Sequence, residues 1–184
     1  MGRTTHRPSL LDRRRFLHRT WAGVAGSLAL GAVPGTALAS PPRIRSFPFT
    51  LGVASGDPTP DGIVLWTRLA PEPTDPIVLG PRGVAVRWRV ATDERLRQVV
   101  KRGSATAPAE LAHSVHVEVD GLRSGRDYFY QFEVDGHEST IGHFRTAPRA
   151  DETVPRLSLA VATCQDWPSG HYVAYRDMAA HDLD

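Results

Sequence analysis

The sequence is nearly devoid of cysteine, which excludes disulfide bonds as a source of stability. Cys164 is the only cysteine among the 184 residues, so no intramolecular disulfide can form. A solitary cysteine is either a small buried hydrophobic residue or a thiol that binds a metal or acts as a nucleophile. The residue type alone favours the first interpretation, and the segment around it, described below, reverses that preference.

An excess of positive charge is missing as well, once the N-terminal segment is set apart. The whole chain has 22 basic and 20 acidic residues. Residues 1–39 contain six of the basic residues and one of the acidic ones, so 16 basic and 19 acidic residues remain, a formal charge of −3. A nucleic-acid partner requires a basic face, so we expect no nucleic-acid binding.

The N-terminus lacks a strongly hydrophobic run and carries a twin-arginine pattern instead. Arg13 and Arg14 are followed by Arg15 and by two hydrophobic residues, Phe16 and Leu17. This pattern is recognised by the twin-arginine export machinery, which transports proteins that have already folded. We therefore expect an exported protein that is secreted, periplasmic or associated with the cell wall.

The segment after this pattern is only mildly apolar. Residues 21–38 contain repeated glycine together with Ser27 and Pro34, which makes a poor membrane span. The segment closes on Ala37-Leu38-Ala39, a small-x-small cleavage signal. This pattern favours a signal peptide, residues 1–39, over an uncleaved membrane anchor, and it predicts no stable span in the mature protein.

Long helical patterns are absent from the middle of the chain, where residues alternate with a period of two. The clearest case is residues 84–90, in which every second residue is Val or Trp while Arg87 and Arg89 lie between them. Strands are predicted at 49–54, 63–68, 84–90, 98–103, 115–119, 128–134 and 140–145, with a turn at 55–62. This spacing predicts an immunoglobulin-like or fibronectin type III-like β-sandwich over residues 47–148.

One local pattern refines that fold. Residues 121–128 resemble the leucine-to-tyrosine corner of fibronectin type III domains, with Leu122 and Tyr128 in the two key positions. In such a corner a buried tyrosine hydroxyl hydrogen-bonds to the backbone just upstream. We assign this role to Tyr128.

Several polar residues of the predicted sandwich invite functional interpretations. Arg68 could bind an anion, but a solvated or salt-bridged strand residue is the favoured interpretation. His113 and His116 lie three apart, so on a strand they point to opposite faces and cannot chelate one ion together. We expect both to be surface residues, and we interpret His137 and His143 as hairpin residues.

The character of the chain changes after a polar, proline-bounded linker at residues 149–155. Residues 157–162 form a mostly apolar run that predicts a strand buried on both faces, and a loop follows at 163–170. An apolar stripe then predicts a helix: Tyr172, Tyr175, Met178 and Ala179. A strand, a loop and a helix in this order are typical of the start of a layered α/β domain, here residues 156–184.

Cys164 lies directly after the predicted strand. Ligands of layered α/β folds bind beyond the carboxyl ends of the strands. A soft thiolate in that place suits a transition metal, which would keep the sulfur deprotonated. This context favours a metal ligand over a buried hydrophobic residue.

Three segments, in this order, resemble the PhoD-like family of secreted alkaline phosphatases and phosphodiesterases. They are residues 49–58, residues 61–69, and the set formed by 162–165, 170–176 and 182–184. The resemblance implies a fibronectin-like domain followed by a metallophosphatase domain. It also implies a site similar to that of purple acid phosphatases, with iron and calcium, in which Cys164 is the first ligand. The next ligands would lie in a Gly-Asp-x-x-Tyr motif beyond Asp184.

The function implied by the resemblance is metal-dependent hydrolysis of phosphate esters, with a metal-bound hydroxide as the nucleophile. The sequence as given would be an N-terminal fragment, and a single thiolate cannot hold a catalytic metal. We therefore expect this chain alone to bind neither iron nor calcium and to be inactive, with no catalytic residue of its own. His171 and His181 match no family role and are expected at the surface.

Two other interpretations remain open. The first is a non-catalytic exported β-sandwich module that binds a partner or a glycan. The second is a purple acid phosphatase proper, but that family would have Asp in the position of Cys164.

Overall fold

The computed structural model describes residues 43–75, 78–166, 168 and 170–183. The predicted signal peptide, with Arg13, Arg14, Phe16 and Leu17, lies outside the described residues. The strands are β1 (Val53–Thr59), β2 (Gly62–Arg68), β3 (Val84–Ala91), β4 (Val99–Ala107), β5 (Ser114–Asp120), β6 (Asp127–Val134), β7 (His137–Glu138) and β8 (Gly142–Arg145). A 3₁₀ turn, Ala109–Leu111, precedes β5, and one short helix, α1 (Val173–Met178), follows the strands. Neither helical segment in this part of the chain has the length and apolarity needed to cross a bilayer.

The strands form two antiparallel sheets. One sheet has the order β1-β2-β5, and the other has the order β4-β3-β6-β7, with β8 also pairing with β6. Because β1, β2 and β5 belong to one sheet and β3, β4 and β6 to the other, the chain crosses between sheets after β2, after β4 and after β5. This is the strand arrangement of an immunoglobulin-like sandwich, so the predicted fold class is confirmed.

The core lies between the two sheets and follows the predicted alternation. On β2 the residues facing inward are buried while those between them are half-buried. The same alternation holds on β5, where each valine is buried and each intervening polar residue is exposed. The core residues from the two sheets are Ile63, Leu65, Val115, Val117 and Val119 on one side and Val86, Val90, Tyr128, Tyr130, Phe132, Val134 and Phe144 on the other.

Tyr130 connects the two sheets through a polar contact within this core. Burial raises the pKa of its hydroxyl, and a hydrogen bond with Ser55 of β1 acts in the opposite direction. The hydroxyl therefore has a partner although it lies in the interior, as a buried polar group requires.

The first strand differs from the prediction. A strand at 49–54 followed by a turn at 55–62 was expected, but β1 begins at Val53 and continues to Thr59. β1 is the edge strand of its sheet, and its pairing with β2 is irregular between Gly56 and Thr59. An edge strand tolerates Pro58 at such an irregularity, since the missing N–H breaks no ladder hydrogen bond.

Two further boundaries differ from the prediction. β4 continues to Ala107 because its backbone remains paired with β3 as far as Val84. The expected strand at 140–145 begins only at Gly142, although the N–H of Ser139 still donates to the carbonyl of Phe132. The hydroxyl of Ser139 accepts the backbone N–H of Phe132 at 3.0 Å, which separates β7 from β8.

The C-terminal segment differs most. The strand predicted at 157–162 is wrong, because these residues have no regular secondary structure. Leu157, Leu159 and Val161 are exposed by 63%, 68% and 83%. A strand requires a neighbour for its backbone hydrogen bonds, and no described strand pairs with this segment. The predicted helix does form, as α1, but its Tyr175 is exposed.

Candidate functional site

Cys164 lies in the exposed loop between residue 162 and α1. Its side chain is accessible, so the interpretation as a small buried hydrophobic residue does not apply. Its backbone has a positive φ of 54°, and its sulfur lies 3.5 Å from the hydroxyl oxygen of Thr163. An accessible thiol of this kind can be reached by a metal ion.

The described residues around Cys164 do not complete a metal centre. No group of three or more His, Cys, Asp or Glu side chains is placed to hold a metal ion anywhere in the described ranges. A catalytic metal requires several protein ligands and an open position. Cys164 thus fits the chemistry of one ligand, while iron or calcium would need ligands besides those described. That Cys164 is a ligand stays a prediction.

Two pairs of charged or titratable residues in the C-terminal segment lie within 4.0 Å of each other. His181 Nε2 lies 3.7 Å from Asp177 Oδ2, and Arg156 lies 3.9 Å from the carboxylate of Asp182. His171 and His181 are both exposed, as the sequence predicts. Such exposed contacts contribute little to stability.

The tyrosine corner is confirmed. The backbone N–H of Arg123 donates to the hydroxyl of Tyr128 at 2.9 Å, and Tyr128 is only 3% exposed. Its ring stacks on Phe144 at a centroid distance of 5.5 Å. The N–H of Leu122 donates to the carbonyl of Asp61, so the corner also ties the β5–β6 crossing to the β1–β2 turn. These contacts stabilise the end of the sandwich.

Arg68 has a structural role. Its Nε donates to the carbonyl oxygen of Ala112 at 3.0 Å. Ala112 has a positive φ of 51°, which aims this carbonyl away from a regular ladder. The favoured structural interpretation is therefore correct in kind, although the partner is a backbone carbonyl and not a carboxylate.

The prediction that His113 lies at the surface is wrong. The residue is 2% exposed, and its Nδ1 and Nε2 lie 3.2 Å and 3.1 Å from the carbonyl oxygens of Ala107 and Gly80. His113 precedes β5 and has a positive φ of 55°, so strand alternation does not determine its direction. The ring instead connects the end of β4 to the loop that contains Gly80. His116, which does lie on β5, is exposed as expected.

The two histidines of the last hairpin have different partners. His143 pairs with Asp127 at 3.0 Å on the exposed face. His137 Nε2 lies 3.2 Å from the carbonyl oxygen of Ile44, whose N–H donates to Asp135 Oδ2 at 2.9 Å. The hairpin interpretation holds for both, and His137 in addition holds the chain that leads into the sandwich.

The sequence interpretation missed a groove of about 430 Å³ on the outer face of the sheet that contains β3. Its lining includes Arg87, Arg89 and Arg102. The period-two pattern did signal that Arg87 and Arg89 face away from the core. Only the pairing of β3 with β4 places Arg102 beside them.

Comparison with known proteins assigns the chain to a family. The family described as "PhoD-like phosphatase, N-terminal domain" matches residues 35–148, which include the whole β-sandwich. Alkaline phosphatase D of Bacillus subtilis (strain 168) is 44% identical over 179 residues, which cover 94% of this chain and 30% of that protein. A solved structure of PhoD is 46% identical and superposes with a TM-score of 0.75, over 78% of this chain and 27% of that one.

The chain thus spans less than a third of the length of either relative. The family match nevertheless extends over more than half of this chain and includes both sheets. The sequence identity continues into the segment that carries Cys164. This chain belongs to the PhoD-like phosphatase family.

Proposed function

We propose that this chain provides the N-terminal β-sandwich and one metal ligand of an exported, metal-dependent phosphoesterase. The proposal includes alkaline phosphatase and phosphodiesterase activity on phosphate esters. The observation that carries it is the exposed thiol of Cys164 in a chain 44% identical to an alkaline phosphatase. Exposure leaves the sulfur available to a metal, and the identity supplies the class of reaction.

Each part of the chain has a separate task in this proposal. The thiolate of Cys164 would hold a transition metal, for which we propose iron, and the proposed centre includes calcium as a second metal. Bound metal supplies Lewis acidity toward a phosphate oxygen and a lowered pKa for water. The sandwich, fastened by Tyr128 and Arg68, is a rigid support from which the Cys164 loop departs. Because a single thiolate cannot hold a catalytic metal, we propose that the 184-residue chain alone is inactive.

The experiment is a chimera in which this chain replaces the matching region of Bacillus subtilis alkaline phosphatase D. We expect the chimera to hydrolyse p-nitrophenyl phosphate or its diester and to contain a transition metal by elemental analysis. Cys164→Ala should abolish both metal and activity. His171→Ala, an exposed residue seven positions away, is the matched control and should retain both.

Two outcomes would contradict the proposal. A Cys164→Ala chimera with unchanged metal content would reject the ligand role. A folded chimera without activity, beside an active parent, would favour the non-catalytic exported module instead. Hydrolysis by the isolated 184-residue chain would contradict the expectation that it is inactive.

Export by the twin-arginine pathway is a separate part of the proposal. Residues 1–39 fused to a fluorescent reporter should direct export in the folded state. Replacing both Arg13 and Arg14 with Lys keeps the charge but removes the pattern and should leave the reporter inside the cell. Replacing Arg3 and Arg7 with Lys is the control, and equal export of both variants would refute this route.

A further inference from the structure

The outer face of the β4-β3-β6 sheet carries arginines that are aligned by strand pairing. Val86 and Val90 of β3 point into the core, so Arg87 and Arg89 point outward. The register places Arg102 of β4 directly opposite Arg89. These arginines border the groove of about 430 Å³, together with Ser104, Gln131 and Glu133.

The pair formed by Arg89 and Arg102 is unfavourable for folding. Side chains directly opposite each other in an antiparallel pair have Cβ atoms about 5 Å apart, and like charges there destabilise the sheet. An acidic residue in place of either arginine would have given an attractive pair. A like-charge pair on an accessible face is the arrangement that a bound anion would stabilise.

The carboxylates of this face neutralise only part of the charge. Arg87 pairs with Glu133, and Arg89 contacts Glu138 and Gln131. The side chain of Arg102 has no hydrogen bond or ion pair with any residue that the structure describes. Three guanidinium groups therefore face two carboxylates, and the excess positive charge lies at Arg102.

The existing ion pairs do not prevent an anion from binding. The side chain of Arg87 is 67% exposed and that of Arg89 is 39% exposed. Ion pairs exposed to this degree contribute little to stability, so a ligand can displace or share them. The sheet backbone holds both arginines in register whether or not the carboxylates remain paired.

The side chains around the groove match one ligand chemistry. Planar guanidinium groups donate two parallel hydrogen bonds to phosphate oxygens, which a lysine ammonium cannot do. After residue 39 the chain has fifteen arginines and one lysine, Lys101, which pairs with the inward-facing Val90. The hydroxyl of Ser104 and the amide of Gln131 add neutral hydrogen-bonding groups beside the arginines.

We infer that this groove binds a phosphoryl oxyanion, either inorganic phosphate or the phosphate group of an ester, between Arg89 and Arg102. A tetrahedral group with several free oxygens can accept from both guanidinium groups at once. The lining does not include Cys164, so the inference stands independently of hydrolysis and of metal binding. It assigns the β-sandwich a binding role in addition to support.

The test is a titration of the 184-residue chain with sodium phosphate, compared with sodium chloride at equal ionic strength. Backbone amide resonances should report a saturable shift confined to residues 87–89 and 102–104, and calorimetry should give the affinity. Arg102→Gln should weaken phosphate binding by about tenfold or more, since it removes charge-assisted hydrogen bonds. Arg102→Lys keeps the charge but loses the two parallel hydrogen bonds of a guanidinium group. Its phosphate affinity should lie between those of the parent and Arg102→Gln.

Arg126→Gln is the matched control, because Arg126 is an exposed arginine outside the groove lining. Its phosphate affinity should equal that of the parent. Arg102→Gln should fold normally, since it removes a repulsion from an exposed face, and Ser104→Ala provides a second variant with weakened binding. Shifts that chloride reproduces, or equal phosphate affinities for Arg102→Gln and Arg126→Gln, would overturn the inference.

Discussion

Two segments of this chain carry large apolar residues at every second position but have opposite structures. Val115, Val117 and Val119 lie on β5 and are exposed by 1%, 7% and 2%. Leu157, Leu159 and Val161 have the same spacing and are exposed by 63%, 68% and 83%. The difference is the neighbour: β5 pairs with β2 along seven residues, whereas no described strand pairs with the second segment. A spacing of two between apolar residues therefore permits a strand, but the strand forms only where a neighbouring strand pairs with it.

A leucine-to-alanine substitution in each region, the sandwich core and the C-terminal segment, tests this comparison most directly. Leu65→Ala removes a fully buried side chain and should lower the free energy of unfolding by about 2–5 kcal/mol. Leu159→Ala removes an exposed one and should change it by less than about 0.5 kcal/mol. Urea unfolding followed by circular dichroism measures both. Similar losses would show that the C-terminal segment is packed in solution.

Adding a methyl group to a strand glycine tests the difference between a closely packed strand and the edge strand of the sandwich. A Cβ at Gly142 would lie 2.3 Å from the ring of Tyr130, its partner in the ladder. We expect Gly142→Ala to destabilise the fold by about 1–3 kcal/mol, because the buried ring must move. Gly56→Ala on the edge strand meets nothing within 4 Å and is the control. Thermal unfolding that shifts equally in both variants would contradict the close contact.

Removing one hydroxyl tests the tyrosine corner against a tyrosine of the C-terminal helix. Tyr128→Phe leaves the N–H of Arg123 without its acceptor and should cost about 1–2 kcal/mol. Tyr175→Phe alters an exposed ring and should leave stability unchanged within error. Hydrogen exchange of the Arg123 amide should accelerate only in Tyr128→Phe. An unchanged exchange rate there would mean that the corner hydrogen bond contributes nothing in solution.

The smallest expected effect is on stability at acid pH, where two aspartates can be compared. The backbone hydrogen bond from Gln98 is the main cause that lowers the pKa of Asp93, in the turn between β3 and β4. Since the folded pKa lies below the unfolded value, this contribution is present above the unfolded pKa. It is lost as pH falls through the folded pKa. Asp93→Asn should therefore flatten the acid side of the stability profile slightly.

Asp151 provides the contrasting case. A side-chain hydrogen bond from Arg149 is the main cause that lowers its pKa, and both residues lie in the exposed linker. Because this pair joins residues two apart, it need not depend on the sandwich fold. Asp151→Asn should leave the acid profile unchanged. A larger effect from Asp151→Asn than from Asp93→Asn would show that the linker participates in the cooperative unit.

The strands that pair along their length in the core were also the ones that the sequence predicted well. β2, β3, β5 and β6 were predicted to within a residue at most ends, since each carries several alternating core residues. β1 was misplaced because Pro58 and Gly56 are typical of a turn, and their acceptance depends on an edge position. His113 was misassigned because its positive φ departs from strand geometry. Cys164 was identified from its place in the sequence and is exposed in the structure.

The family, the β-sandwich and the corner at Tyr128 were determined by the sequence alone. The family follows from the resemblance of three segments. Short-range alternation predicts the strands and a local motif predicts the corner, since both depend on residues within a few positions of one another. Only the tertiary structure decided that residues 157–162 pair with no described strand, that His113 connects the end of β4 to the Gly80 loop, and that Arg102 lies opposite Arg89. Each of these outcomes depends on whether a residue or strand distant in the sequence provides a partner. The register between distant strands is set by packing of the whole core.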